Sequence, residues 1–364
     1  MIKFLKDFIT GTFFLFLAGW IFFISFQEKK LNPAHLPDYD FLPEIEQMMA
    51  EKRFQESEQL CCSVIGMKLP HADAAGRKLL ECRMARKSKG HQVVEGVKGF
   101  LTGEGGSSAA VTGAVLSDLC LVGDLRDLGI QAYNKIQNRP VDKVIVAISG
   151  VGAFAELLGV AGTLPALVKQ IYRAGAFTSR MKETLQNAFR RIAVQRHITP
   201  PDRKLLKDLG ELTEFHGFNR SRQLFKGINT PEELAAAVKI QKQAPEVPWL
   251  LALAVPADCG KLFLRYGEGG VALLKSAVRK GSPGGELLKK IRIVKWSTKN
   301  IIKGRFHDML LYSAIENPAF ARLLPFAGGG LLLAACFFYC RGAVTCGLFS
   351  RCRQKTRSKA EGGS

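Results

Sequence analysis

Two stretches without a charged residue bound the chain. Residues 8–26 read FITGTFFLFLAGWIFFISF, between Lys3 and Lys6 on one side and Lys29 and Lys30 on the other. Residues 323–340 read LLPFAGGGLLLAACFFYC, between Arg322 and Arg341. As a helix the first spans about 28 Å at 1.5 Å per residue, close to the hydrocarbon thickness of a bilayer. It is longer than the apolar core of a secretory leader and ends without a small-residue cleavage site, so it reads as a retained anchor. Asn317 and Pro318 supply an N-cap and a first helical position for the second stretch. Pro325 and the Gly328-Gly329-Gly330 triplet weaken that helix and favour close packing on a neighbour.

Between the anchors the pattern is helical. Residues 31–42 hold Pro33 and Pro37 and read as a linker. Ile45, Met48, Met49, Phe54, Leu60 and Val64 then fall at helical spacing over residues 44–64. A turn at residues 66–70 and a second helix over 73–87 complete a hairpin, which is similar to a single tetratricopeptide unit without a second copy. After the glycines of 103–106 come two apolar segments, 107–123 with Asp118 as its only charge and 144–168 with only Glu156. A polar loop joins them, so they predict a helical hairpin that crosses the bilayer, dips into it or forms a bundle core. Gly152, Ala155, Gly159 and Gly162 lie on one face of the second segment and are the candidate helix-packing residues. Acidic groups in lipid are costly, so Asp118, Asp124, Asp127 and Glu156 mark a candidate cation or proton site.

Further on, helix starts are well marked. Thr199-Pro200-Pro201-Asp202 opens one helix. Thr230-Pro231-Glu232-Glu233 opens another as a capping box, with Glu233 expected to reach back to the cap residue's amide. Residues 249–255 are apolar but too short to span, which makes them core. Leu273, Leu274, Ala277 and Val278 alternate with basic residues, and Ser282-Pro283-Gly284-Gly285 reads as a break. Beyond it Leu287, Leu288, Ile291, Val294, Ile301 and Ile302 share a stripe edged by Lys289, Lys290, Arg292, Lys295, Trp296 and Lys299. Those basic residues and Trp296 are the candidate membrane-surface set of an amphipathic helix.

The formal net charge of +20 favours an anionic partner. Beside two membrane segments, that partner is anionic lipid headgroups more than nucleic acid, for which no aromatic-basic module is present. The nine cysteines show no CxxC spacing and read as structural thiols, with Cys336, Cys340, Cys346 and Cys352 gathered at the second anchor. No GxxxxGK[ST], HExxH or GxSxG motif occurs, and no two histidines stand at i, i+4. The stretch KVIVAIS followed by Gly150-x-Gly152-x-x-Ala155 imitates a dinucleotide fingerprint. Pro140 sits where the strand should begin, no acidic residue follows at the ribose position, and no βαβ unit recurs. No cofactor, metal or catalytic set is therefore expected, and the reading is of a non-enzyme.

The stretch GAVLSDLCLVGDLRDLGIQAYNKIQNRPVDKVIVAISGVGAFAELLG resembles bacterial membrane-anchored proteins in which a Gly-Asp-x-Arg-Asp-Leu turn joins two apolar helices. It is also similar to the hydrophobic segment before the toxin domains of polymorphic toxins, although no toxin-like domain follows. The resemblance implies a bacterial membrane protein and brings no activity or site residue.

The expected organisation is an all-α membrane protein with terminal transmembrane anchors and a basic helical body. Residues 1–30 form the first anchor, 31–103 a helical hairpin region, 104–170 the apolar hairpin, 171–322 a basic bundle, 323–349 the second anchor and 350–364 a basic tail. Arg341, Arg351, Arg353, Lys355, Arg357 and Lys359 place the C-terminus in the cytoplasm. With an even number of crossings, the body lies outside the inner membrane, in the periplasm. A binding or scaffolding role is expected, with homo-oligomers through small-residue faces as a further partner. The alternatives are a small transporter or channel subunit using the acidic hairpin residues, and a membrane-anchored enzyme whose site assembles from distant residues.

Overall fold

Helix is the regular structure throughout the described part of the computed structural model, with no strand among the described residues. The structure describes residues 2–87, 130–131, 133–135, 137, 139–140, 145, 164–195, 198–294 and 297–361. Two compact units share the chain: residues 1–35 with 290–364, and residues 36–289.

The first unit opens with α1, Ile2–Leu31, which carries Lys29 and Lys30 in its last turn, where cations complement the helix dipole. The second unit holds α2 (Leu42–Ala50), α3 (Phe54–Gly66), α4 (Ala72–Lys87), α5 (Leu164–Arg173), α6 (Ser179–Gln195) and α7 (Pro200–Phe225). It continues with α8 (Pro231–Gln243), α9 (Val247–Ala254), α10 (Cys259–Tyr266), α11 (Val271–Val278) and α12 (Gly281–Lys290). The chain then returns to the first unit through α13 (Thr298–Ile302), α14 (Phe306–Glu316) and α15 (Pro318–Glu361).

In the first unit, α15 lies antiparallel on α1. Residues near the start of α1 meet the far part of α15: Phe8 packs edge-on against Tyr339, and Phe14 stacks on Phe338. Later residues of α1 meet the start of α15. Phe22 covers Gly328, and Ile24 is fully buried in a cluster with Ala314 and Leu324. Asn317 caps α15 as its sequence predicts, its side-chain oxygen accepting from Ala319 N at 3.0 Å and Phe320 N at 3.3 Å. Pro325 and the glycine triplet do not interrupt the helix, consistent with the tolerance of such residues in apolar helices. Of the triplet only Gly328 is closely approached; Gly329 and Gly330 face open space.

In the second unit α3 and α4 form the expected hairpin, with Lys68 and His71 in the left-handed region at its turn. The single helix expected over 44–64 is two, because Lys52 at φ 60° ends α2 before α3 begins. Thr199 caps α7 and Thr230 caps α8, each hydroxyl accepting from the amide three residues on. Glu233 reaches one residue further than a capping box requires: its carboxylate accepts from Asn229 N at 2.7 Å, not from the cap residue. The apolar run of α9 is core, with Trp249, Leu251 and Ala252 fully buried. Residues 282–285 form the first turn of α12 instead of a break, with Pro283 near the helix start, where its missing N–H costs nothing. The reversal sits one residue earlier, at Gly281 with φ 60°. Residues from both sides of the chain meet here. Asp38 accepts from Arg279 Nη2 at 2.6 Å and Lys280 Nζ at 2.7 Å, and Arg279 Nη1 donates to Met67 O at 2.6 Å. The early hairpin and the later bundle are thus one unit, while residues 290–322 belong with α1 and α15.

Candidate functional site

The α1–α15 pair sorts its chemistry by face. Between the two helices, Thr12 Oγ1 and Tyr339 Oη are 2.9 Å apart at an exposed edge of the pair, and buried Asp7 lies 3.5 Å from the half-exposed Arg341 guanidinium. Trp20 Nε1 donates to His307 Nδ1 at 3.1 Å, and the other ring nitrogen of His307 lies 3.3 Å from Gln27 Oε1. Accepting from the indole fixes Nδ1 as unprotonated, so His307 donates through Nε2 to Gln27. Buried Glu28 accepts from Asn32 Nδ2 at 2.7 Å, and His35 Nε2 lies 3.1 Å away. The outward face is apolar and open: Phe8, Phe13, Phe16, Phe326, Leu333 and Phe337 are all exposed. Only 22% and 17% of the two apolar windows are buried, whereas a core helix of a water-soluble bundle is mostly covered. Both helices are long and apolar enough to cross a membrane.

The most unusual chemistry of the second unit gathers where α7 breaks its helical geometry at Gly217, with φ 70° and ψ 174°. A side chain at that φ would be strained, and glycine avoids the cost. The break turns His216, Asn219, Arg220 and Ser221 into the interior. Arg220 Nε donates to Gln59 Oε1 at 2.7 Å and its Nη2 to Gln59 O at 3.1 Å, while its guanidinium carbon stands 4.5 Å from the Trp249 ring centroid. Glu246 completes the charge balance at 3.8 Å and accepts from Ser63 Oγ at 2.7 Å. This cluster fastens α3 to α7 and α9. Among the described residues, neither nitrogen of His216 has a hydrogen-bond partner, nor has Trp249 Nε1. Burial, with the Arg220 charge adding to it, pulls the His216 pKa down to about 3, so the ring is neutral at physiological pH.

The buried thiols are protonated as well. Burial pushes Cys61 and Cys259 up to about 12, and Cys82 donates to Ser57 Oγ at 3.2 Å. No group of three or more histidine, cysteine, aspartate or glutamate residues is placed to hold a metal among the described residues.

Few of the residues singled out by sequence fall among the described ones. Asp118, Asp124, Asp127 and Glu156, together with Gly152, Ala155, Gly159 and Gly162, lie outside the described residues, as do Lys295 and Trp296. The continuous amphipathic helix expected through residue 302 does not form: α12 ends at Lys290 and residues 291–294 are not helical. Ile291, Ile293 and Val294 are β-branched and disfavour helix there. Ile291 and Val294 are buried whereas Ile301 and Ile302 are exposed, so the stripe is split. Lys289 is engaged by Glu286 at 2.7 Å and Asp258 at 3.0 Å, while Lys290, Arg292 and Lys299 are exposed. The Arg220 cluster was not singled out by sequence; its available signal is a glycine inside a helical pattern, followed by polar residues on the face that Leu209 and Leu212 begin.

Comparison with protein-family models, curated proteins and solved structures finds no match to this chain.

Proposed function

We propose that the chain is an integral membrane protein of the bacterial inner membrane, held by α1 and α15 as a two-helix anchor, whose helical body binds or scaffolds a partner. The observation that carries this reading is the surface of the anchor pair, whose hydrogen-bonding groups bond to one another between helices while large aromatic and aliphatic groups stand open. In water that arrangement would leave a large apolar surface uncovered, while in hydrocarbon it satisfies both faces.

The antiparallel pairing gives the two crossings opposite senses. The N-terminus and the basic tail lie on one side, and residues 35 and 290 on the other. Cationic residues after Arg341 support a cytoplasmic placement of the termini and a periplasmic one of the body. The basic excess of the whole chain supports anionic lipid as the surface the protein works against. We read the role as one of binding; His216 and Cys259 lie in the interior of the body, where both pack.

Proteolysis of spheroplasts carrying the full chain with epitope tags at both ends tests this topology. Cleavage within 36–289 with both tags protected is expected. Loss of either tag, or full protection of the body in sealed spheroplasts, would reject it.

A further inference from the structure

We propose that α13 and the loop into α14, residues 298–306, form a collar that inserts into an anionic phospholipid leaflet beside the anchor pair. The proposal rests on the membrane reading above and names the lipid chemistry met at the loop-side end of the anchor.

Helix α13 has five residues, yet it is closed at both ends. Ser297 Oγ accepts from Asn300 N at 3.2 Å at its start. At its end Arg305 N donates to Asn300 O at 3.0 Å and Gly304 N to Ile301 O at 2.9 Å, with Gly304 at φ 67°. That is the Schellman pattern, in which glycine takes the left-handed position. Here Ile301 and Ile302 are held outward, 51% and 80% exposed, and Phe306 remains 39% exposed. Lys299, Lys303 and Arg305 surround them, all exposed and without a carboxylate partner among the described residues. Two isoleucines amid three unpaired cations complement a surface that is apolar beneath and anionic above, as a phospholipid leaflet is.

Depth along α1 agrees with this. Phe306 stacks on Trp20 with centroids 5.6 Å apart, so the end of the collar lies at the level of Trp20. Trp20 is six residues before Phe26, the end of the charge-free run, or about 9 Å along the helix. Interfacial segments bury their apolar face about 5–10 Å deep, and tryptophan is enriched at that level.

Photo-cross-linking of the full chain in vesicles of equal phosphatidylglycerol and phosphatidylcholine tests the proposal. Benzoyl-phenylalanine is placed singly at Ile302, at Phe16 on the open face of α1, and at exposed Leu264 in the body. Mass spectrometry then identifies the adducts. Lipid adducts at 302 and 16, but not at 264, are expected. Lipid adducts at 16 with only protein adducts or none at 302 would overturn the collar while leaving the anchor standing. Lipid adducts at neither position would overturn both. In a K299E/K303E/R305E background, the ratio of phosphatidylglycerol to phosphatidylcholine adducts at 302 should fall at least threefold. An unchanged ratio would overturn the anionic-headgroup part.

Discussion

Acidification should weaken the body through His216 alone by an amount that can be worked from its surroundings. The ring is buried without a hydrogen-bond partner, and its pKa falls from an ordinary 6.5 to about 3. A base whose pKa is lowered by folding contributes its full share of stability above 6.5. That share is lost as pH falls through 6.5 toward 3, because the unfolded chain takes up a proton that the folded one refuses. Between pH 7.5 and pH 5 the folded ring stays neutral while the unfolded ring becomes charged. At 1.36 kcal/mol per pH unit, the accumulated loss is about 2 kcal/mol. That is roughly a thirtyfold fall in the ratio of folded to unfolded protein. Other groups titrate over the same range, so the assay is a comparison. Urea unfolding of the full chain in detergent, followed by helix signal, is measured for wild type and His216→Leu at both pH values. The variant should lose about 2 kcal/mol less on acidification, whatever its stability at neutral pH. An identical loss in the two proteins would refute the reasoning, since it would mean that the ring is solvated or paired when folded.

Three further substitutions probe the packing around this site. Arg220→Ala removes two hydrogen bonds to Gln59 and the stack on Trp249; a loss of roughly 2–3 kcal/mol in urea unfolding is expected, and less than 1 would show that the cluster is not a brace. Gly227→Ala would place a methyl group 2.0 Å from Pro256 O and 2.3 Å from Cys259 Sγ. The first is a backbone atom that cannot swing away, so the variant should lose roughly 1–3 kcal/mol and expose Cys259 to thiol reagents more readily. Thr230→Ala removes the α8 cap and should cost about 1 kcal/mol, with faster amide exchange confined to the first turn of α8.

Much of the helical framework was legible in the sequence because its signals are local. The caps at Thr199, Thr230 and Asn317 are short-range hydrogen bonds, and the apolar run of α9 is bracketed by prolines. Boundaries that depend on distant partners were not legible. Lys52 takes a left-handed conformation that sequence does not favour there. The first turn of α12 contains glycines that read as a break until their packing is seen: Gly281 lies against the Tyr39 ring, and Gly285 against Val255. The stripe through 287–302 breaks because residues 291–294 leave the helix, which spacing along the chain does not reveal. The Arg220 cluster draws on Gln59, Ser63, Glu246 and Trp249, up to 161 residues away in the chain at Gln59, and periodicity carries no trace of such a meeting.

Alkaline carbonate treatment of membranes containing the full-length protein addresses the anchor most directly. Burial of both open helix faces in hydrocarbon predicts that the intact chain stays in the membrane pellet. Recovery of the intact chain in the supernatant would contradict the account, since the aromatic faces of α1 and α15 would then have been covered by something other than lipid.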